Sequence, residues 1–407
     1  MLDCVINAVN QRRVEIGKGR RMDVELNEAQ RMLRASATDW LAANRMPPLR
    51  AAKIADCGEV LWKSFADMGW LGLPFAEEDG GFAGGAVEVG VLAHALGEQL
   101  VVLPYITSIV MAGSLVARLG SASQRRRLLP GLLEGDVRLS FAHSEPQAGW
   151  PWDPRHFRAV RVAEGWMLIG DKSMVEAGHE PTHWVVTASC DDGCQRVFLV
   201  PVGSTSEQVQ RVEYETLSAG SACDLRFASL VVPVDAVLGE GRDSHAQILS
   251  DVLSDGMIAL CWCACGAMDM LVAQTADYVG QRKQFGRPLG DFQAVQHKLA
   301  EMGIQSMEAR AACELAAMRA DRGDARFPLA ASTKIKVALA ADLVGKHAIQ
   351  LHGAMGVCNE LPVAPAFRWL QAFGLQMGRA SEHAAAVGRF QVQTQRFAQS
   401  AVWECFQ

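Results

Sequence analysis

A run of short β-strand patterns in the middle of the chain, with helical patterns on both sides, constrains the fold more than any other feature. From Val137 to Gly241 the apolar stretches are short and often alternate with polar residues, as in FRAVRV, WMLIG and QRVFLVPV. Gly, Pro and Asp separate these stretches, which predicts an antiparallel β domain of about 105 residues. The sequence contains no internal repeat and no low-complexity linker, so we expect an α+β protein with three segments.

Helical periodicity fills the rest of the chain. The segment NEAQRMLRASATDWLAA has Asn27 as its N-cap and apolar residues at a spacing near 3.6. From Ile248 onward, Ala-rich patterns of roughly 20 to 30 residues predict a four-helix bundle. We expect an unstructured extension over 1–21 with Met22 as a candidate start, a helical domain over 22–136, a β domain over 137–245 and a helical bundle over 246–407.

Composition excludes several classes of protein. There are 39 Lys and Arg against 45 Asp and Glu, which gives a formal net charge of −6, and half of the residues are hydrophobic. This apolar fraction excludes a disordered, collagen-like or disulfide-miniprotein chain, and the mild acidity argues against nucleic-acid binding. The uncharged run Gln99–Ala117 contains Pro104 and several polar residues, so it predicts two short helices in a soluble core rather than a membrane span.

The 11 cysteines form no metal-binding pattern. Cys261, Cys263 and Cys265 lie inside an apolar run, and Cys190 and Cys194 have no matching second pair. No spacing typical of a zinc site is present. We therefore expect buried, reduced thiols in a cytoplasmic protein and no metal ion.

The strongest local signal is a basic segment near residue 285. It reads Arg282-Lys283-Gln284-Phe285-Gly286-Arg287-Pro288-Leu289, and Phe292-Gln293 follow it. We predict that the helix carrying Tyr278 ends near Gly286 and that the next helix begins at about Asp291. Arg282 can form bidentate bonds to a pyrophosphate, and Phe285 can cover the edge of an adenine or flavin ring. On residue chemistry alone, a basic helix end is also typical of a solvated surface.

The spacing R-K-Q-F-G-x-P-L-x-x-F-Q resembles the FAD-contact motif of the acyl-CoA dehydrogenase family. Five other segments resemble motifs of that family in the same order: LPFAEEDGGFAGG from Leu73, FAHSEPQAG from Phe141, GDK from Gly170, VVP with LG from Val231, and QLHGAMG from Gln350. The resemblance extends from Met22 to about Phe390 and is greatest for the small subunits of pimeloyl-CoA and steroid side-chain dehydrogenases. It implies a helical N-terminal domain, a barrel-like antiparallel β domain and a C-terminal four-helix bundle.

The resemblance implies an FAD enzyme that oxidises an acyl-CoA thioester at its Cα–Cβ bond. Such chemistry needs a general base for the α-proton and a flavin that accepts the β-hydride. By this resemblance Ser144 would hydrogen-bond the flavin edge, Arg282 and Phe285 would contact the FAD of a neighbouring subunit, and Gln350 and Gly353 would approach its pyrophosphate. A subunit-spanning FAD site implies an oligomer. The resemblance also implies an electron-transferring flavoprotein as electron acceptor.

Departures from the family pattern affect the general base. The usual glutamate falls on Gly378, and Arg379 follows it. An alternative family position, early in the first long C-terminal helix, falls on Gly256, which Met257 follows. Asp255 is one residue away and would point about 100° aside on a helix. Asp255 is therefore a weak candidate for a substitute base, and a solvated or capping acid is the alternative.

The expected flavin pocket is altered as well. The tryptophan that the family places beside the flavin falls on Met174, and the next polar position falls on Glu176. A buried Glu176 can carry a raised pKa and act as a base, although a surface strand glutamate is the alternative. Further departures are Ala354 in place of a glycine and Trp150 in place of a serine. His143 and His383 are candidate pocket residues or structural histidines.

Three functional readings follow. The first is an FAD-dependent dehydrogenase of a bulky or dicarboxylic acyl-CoA, in lipid or steroid catabolism, that works with a second acyl-CoA dehydrogenase-like subunit because the base is absent. The second is a non-catalytic subunit that only completes the FAD site of its partner. The third is a divergent flavoenzyme of a degradative or biosynthetic pathway that uses oxygen. Retention of Ser144, Arg282, Phe285 and Gln350 favours flavin contact in all three.

Overall fold

A computed structural model describes residues 26–44, 54–146, 152, 156–176, 180–204, 208–218, 220–239 and 245–394. The predicted extension over 1–21, Met22 and Trp150 lie outside the described residues. The chain forms two compact units. We call the described residues within Met46–Gly84 and Val101–Gly256 the sheet unit, and those within Met1–Arg45, Gly85–Leu100 and Met257–Gln407 the bundle unit.

The sheet unit contains short helices and seven strands. The helices are α2 (Ile54–Asp67), a π-helical segment (Tyr105–Gly113), α4 (Ser114–Leu119) and α5 (Ala122–Leu133). The strands are β1 (Leu139–Ala142), β2 (Arg158–Val162), β3 (Gly165–Glu176), β4 (His183–Cys190), β5 (Gln195–Pro201), β6 (Val209–Glu215) and β7 (Ser221–Val232). The predicted β domain between helical segments is therefore confirmed.

The strands form one mixed sheet in the order β1-β4-β2-β3-β7-β6, with β5 paired to β4. Four pairings are antiparallel, as predicted, but β1 and β2 both run parallel to β4. The all-antiparallel prediction was wrong because alternation of side chains shows which face is buried and not the direction of the neighbouring strand. The buried face of the sheet includes Phe157, Trp184 and Phe227, whose rings pack edge to face.

The uncharged segment around Pro104 differs from the two short helices that we predicted. Pro104 caps the π-helical segment, which continues directly into α4 as one apolar helical stretch. Its residues are mostly buried, and Tyr105 donates a hydrogen bond to the Trp70 carbonyl at 3.1 Å. The segment thus lies in the core of the sheet unit.

The bundle unit is almost entirely helical. Its elements are α1 (Glu28–Ala43), α3 (Ala86–Glu98), most of α6 (His245–Gln281), the strands β8 (Lys283–Gln284) and β9 (Arg287–Pro288), α7 (Gln293–Asp321), α8 (Arg326–His352), α9 (Val363–Leu375) and α10 (Ala380–Thr394). The Asn27 side chain caps α1 as predicted. The four long C-terminal helices are confirmed, and α9 is an additional one.

Two details of the C-terminal region were not foreseen. The helix carrying Tyr278 ends at Gln281, and residues 283–288 form a β-hairpin where we predicted a helix end near Gly286. Among the described residues, one helix, His245–Gln281, is long and apolar enough to cross a membrane, and 78% of its apolar window is buried inside the protein.

Candidate functional site

A buried ion pair joins two of the motifs on which the family resemblance rests. Nζ of Lys172, on β3, lies 3.0 Å from Oε1 of Glu145, and both side chains are 0% exposed. Lys172 also donates to the His143 carbonyl at 3.0 Å and to Oγ1 of Thr187 at 3.3 Å. Neither partner was singled out from the sequence, although both lie in quoted motifs, because 27 residues separate them along the chain.

Both members of this pair are charged. Burial lowers the pKa of Lys172 to about 8, against the opposite effect of the Glu145 carboxylate. Burial raises the pKa of Glu145, but the Lys172 ammonium and the backbone N–H groups of His156 and Phe157 outweigh it, and the net shift is downward. These N–H groups donate to the carboxylate at 2.8 and 3.1 Å. The ion pair and these hydrogen bonds therefore fix the loop after β1 to β3.

Ser144 lies on this fixed loop. Its residue is exposed, and its carbonyl accepts a hydrogen bond from the Ser173 N–H at 2.9 Å. His143, immediately before it, is buried and makes a 2.9 Å hydrogen bond through Nδ1 to Thr187. Ser144 is thus an exposed residue on a loop that is hydrogen-bonded to β3. The following residues, from Gln147 to Gly149, lie outside the described residues.

Met174 lies at a β-bulge in β3. The pairing of β3 with β7 shifts between Lys172 and Val175, and Met174 has a φ of 53°, in the left-handed region. Its N–H donates to Oη of Tyr214 and to Oδ1 of Asp224, both at 3.2 Å. Burial and the Asp224 carboxylate raise the pKa of Tyr214 to about 12. Two strands therefore hold the strained residue in place and leave Met174 52% exposed.

Glu176 follows two residues later on β3. Oγ1 of Thr107, in the π-helical segment, donates to Oε2 of Glu176 at 2.7 Å. Burial raises the pKa of Glu176, although the Thr107 hydrogen bond acts in the opposite direction. Oγ of Ser140 donates to the Glu176 carbonyl at 2.8 Å. The structure therefore brings Ser144, Met174 and Glu176 to the same end of β3.

Asp255 lies beside an arginine. Its carboxylate is 3.6 Å from the guanidinium of Arg118, which also contacts Asp251 at 3.1 Å. The adjacent Gly256 packs tightly, because a Cβ atom built there would lie 2.1 Å from Cε of Met111. No side chain larger than hydrogen fits at residue 256 unless Met111 moves.

The basic hairpin of the bundle unit projects an aromatic ring and a cation. Phe285 is 89% exposed with a φ of 53°, and Arg282 is exposed at the end of α6. The Leu289 N–H donates to the Arg282 carbonyl at 2.8 Å and closes the hairpin. Arg287 stacks on the ring of Phe292 at 4.1 Å, so its cation is engaged by the segment that follows the hairpin.

A stacked pair joins this hairpin to the end of α8. The rings of Tyr278 and His352 are 4.3 Å apart, and Tyr278 lies one helical turn before Arg282. Burial lowers the pKa of His352, which favours the neutral ring. Gln350 is exposed, and Gly353 has a φ of 61° with no atom within 4 Å of a Cβ built on it.

Gly378 lies in a tight loop before α10. Its φ is 100°, and a Cβ built there would lie 3.0 Å from Nε2 of His383. His383 is buried, and its Nε2 makes a 2.9 Å hydrogen bond to the Met377 carbonyl. Glu382 accepts the Arg379 N–H at 2.7 Å as a helix cap. The expected base position therefore carries no side chain, and the loop is built around a glycine conformation.

Within the part of the chain that the structure describes, no three His, Cys, Asp or Glu residues lie close enough together to hold a metal ion. Eight cysteines whose side chains the structure describes are free thiols.

The family model of the acyl-CoA dehydrogenase N-terminal domain matches residues 27–136, and that of the acyl-CoA dehydrogenase C-terminal domain matches residues 246–391. The chain therefore belongs to the acyl-CoA dehydrogenase family. Its members are flavoproteins, and the chain is an oxidoreductase of the type that acts on the CH–CH group of acyl-CoA thioesters.

Several known proteins are similar to this chain over most of its length. The mitochondrial 2-methylacyl-CoA dehydrogenase of Solanum tuberosum is 30% identical over 346 residues, which cover 81% of each chain. A chain of the ChsE4-ChsE5 complex from Mycobacterium tuberculosis superposes with a TM-score of 0.82 at 26% identity and covers 93% of this chain and 100% of its own. A Tcur3481-Tcur3483 steroid ACAD variant gives a TM-score of 0.79 at 28% identity, with 90% and 99% covered.

Proposed function

We propose that this chain binds FAD and dehydrogenates an acyl-CoA at its Cα–Cβ bond as one subunit of an oligomer. The observation that carries the proposal is the exposed hairpin with Arg282 and Phe285, joined through the Tyr278–His352 stack to the segment that carries Gln350 and Gly353. Phe285 is 89% exposed and Arg282 is exposed beside it, so both groups are accessible to a ligand.

The chemistry of these groups fits an FAD molecule. Arg282 offers a guanidinium fork that suits a diphosphate, and the Gln350 side chain adds a neutral donor beside it. Gly353 leaves the space of a side chain open, which permits close approach of a ligand to the backbone. Phe285 offers an apolar face for a ring, and the Ser144 hydroxyl offers a hydrogen-bond partner for a flavin edge.

When bound, FAD would supply the acceptor for the β-hydride. The residues of this chain would bind and orient it. The buried Glu145–Lys172 pair would keep Ser144 at a fixed position relative to β3, and the hairpin would hold the dinucleotide of a neighbouring subunit. We further propose the three segments given above as its domains and the cytoplasm as its location, which the free thiols support.

A second acyl-CoA dehydrogenase-like subunit is the expected partner. Gly378 provides no carboxylate where the family resemblance places the base, and an FAD site that spans two subunits needs a second chain of this family. The names of two similar structures described above, ChsE4-ChsE5 and Tcur3481-Tcur3483, each join two proteins, which supports a second subunit as the partner. The substrate would be a bulky acyl-CoA, such as a steroid or lipid thioester, and an electron-transferring flavoprotein would reoxidise the flavin.

Flavin content tests the proposal directly. Wild-type protein should be yellow and should retain about one flavin per site after gel filtration, whereas Arg282→Ala should lose most of it. The matched control is Lys346→Ala, which removes one exposed cation from α8 of the same unit and disturbs only an ion pair with Asp342. Equal flavin content in Arg282→Ala and wild type would refute the role of the hairpin.

A non-catalytic subunit is the second candidate function, because Gly378 leaves the usual base position empty. Bleaching of the flavin by acyl-CoA in the absence of air would exclude it. Bleaching only after a homologous partner subunit is added would support it, and oxygen incorporation into the product would favour the oxygen-using reading.

A further inference from the structure

We infer that Glu176, held by Thr107, is the group of this chain that accepts the α-proton of the substrate. This inference rests on the proposed function. It deepens that function because it names a catalytic residue at a position where the family pattern gives none.

The two positions that the family resemblance offers for a base are both closed. Residue 378 is a glycine with a φ of 100°, and any side chain there meets His383. Residue 256 is a glycine whose side-chain space is filled by Cε of Met111. Asp255, the nearest acid, lies beside Arg118 at 3.6 Å. This ion pair engages the Asp255 carboxylate with Arg118.

Met111 and Thr107 belong to the same π-helical segment, Tyr105–Gly113. Met111 closes the space at Gly256, and Thr107 donates its hydroxyl hydrogen to Glu176. Thr107 and Met111 are four residues apart, which is about one helical turn. The Glu176 carboxyl group therefore contacts the same π-helical segment that fills the space at Gly256. Glu176 belongs to β3, whereas Gly256 belongs to helix α6. Segments of π-helix are frequent at functional sites.

The surroundings of Glu176 suit a base. Thr107 from the π-helical segment donates to its carboxylate, Ser140 from β1 donates to its backbone carbonyl, and Ala222 is its partner on β7. None of these three residues is charged, and among the described residues no cation forms an ion pair with Glu176. Thr107 binds Oε2, whereas Oε1 makes no hydrogen bond to a described residue. One oxygen is thus oriented and the other is left to take a proton.

The step balances with FAD as the oxidant that the proposed function supplies. A Glu176 oxygen takes the α-proton as the Cα–H bond breaks, and that electron pair becomes the second bond of Cα=Cβ. The β-hydride would leave with its own electron pair, and FAD, when bound, would supply its acceptor. Glu176 would then be neutral beside an enoyl thioester, the two electrons of the hydride would reside on the cofactor, and the Glu176 proton would pass to solvent.

Exchange of the α-proton with solvent tests this role. Flavin-loaded protein, with its partner subunit if one is needed, is incubated with the acyl-CoA in D2O without air, and deuterium at Cα is measured by mass spectrometry. We expect Glu176→Gln to retain its flavin and to lose exchange at least 100-fold, whereas Asp255→Asn should exchange like wild type. Flavin content separates the two proposals, because a colourless wild-type protein would refute the proposed function itself.

A second variant keeps the test decisive if Glu176→Gln folds poorly. Thr107→Val removes the hydroxyl that favours the charged carboxylate, so the pH profile of exchange should move to higher pH, and Thr107→Ser should restore it. Undiminished exchange in Glu176→Gln, loss of exchange in Asp255→Asn, an unmoved profile in Thr107→Val, or flavin-bound wild type without any exchange would each overturn the inference.

Discussion

Replacement of Lys172 by methionine tests how the Ser144 loop is held. Methionine keeps the unbranched aliphatic body of lysine but removes the ammonium group, so the core volume changes little. Glu145 would then remain 0% exposed without its counter-ion. Removal of one partner of a buried pair costs about 3–5 kcal/mol, because it leaves an uncompensated charge.

The structure places the expected cost near the lower end of that range. The N–H groups of His156 and Phe157 still donate to Glu145 in the variant. Burial also favours the neutral form of the Glu145 carboxyl group, and protonation lowers the cost of losing the counter-ion. The variant also loses the hydrogen bonds from Lys172 to the His143 carbonyl and Thr187. We therefore expect the free energy of unfolding to fall by about 3 kcal/mol.

Urea unfolding followed by tryptophan fluorescence and circular dichroism measures this change. The matched control is the double variant Lys172→Met with Glu145→Gln, which removes both charges and should regain most of the stability. A coupling energy of at least about 2 kcal/mol is expected from the double-mutant cycle. A loss below about 1 kcal/mol in the single variant, or a double variant that is weaker still, would show that the ion pair does not hold this loop.

Two further predictions concern the bundle unit. Gly97→Ala should cost at least about 2 kcal/mol of unfolding free energy, because its Cβ would lie 1.9 Å from the Cys263 carbonyl oxygen. Gly388→Ala lies in a helix where the added Cβ meets open space, so its unfolding free energy should rise by about 0.5–1 kcal/mol. Thermal melts measure both variants, and equal changes in the two would contradict the packing described for Gly97. Burial lowers the pKa of Lys334 from 10.5 to about 8, so the unfolded chain binds more protons between these values. Stability should therefore rise by about 3 kcal/mol from pH 8 to pH 10.5 through this group. Lys334→Met should lack that rise in urea titrations.

The order of helices and strands was predictable because it depends on local periodicity. The direction of β1 and β2 relative to β4 was not, since parallel and antiparallel strands bury side chains with the same alternation. The hairpin at residues 283–288 was also missed. Two-residue strands are too short to show a period of two, and Phe285 and Gly286 both have positive φ in its turn.

In the candidate site, too, some residues could be predicted from the sequence and others could not. The residues on motifs could be named from the sequence, including Ser144, Arg282 and Glu176. Their partners could not, because the contacts are distant along the chain: Thr107 lies 69 residues before Glu176. The sequence also gave no sign that Met111 fills the space beside Gly256, since a helical methionine in an apolar run is typical of any core.

Helix α6 has a consequence for how the protein can be divided. Its residues up to Gly256 pack within the sheet unit, and those from Met257 pack within the bundle unit. A fragment that ends before α6 would lack the ion pair between Arg118 and Asp251. It would also lack Gly256, against which Met111 packs. Separately expressed halves cut at that point should therefore be unstable alone and regain structure only when mixed. A protease should cut the intact chain elsewhere first.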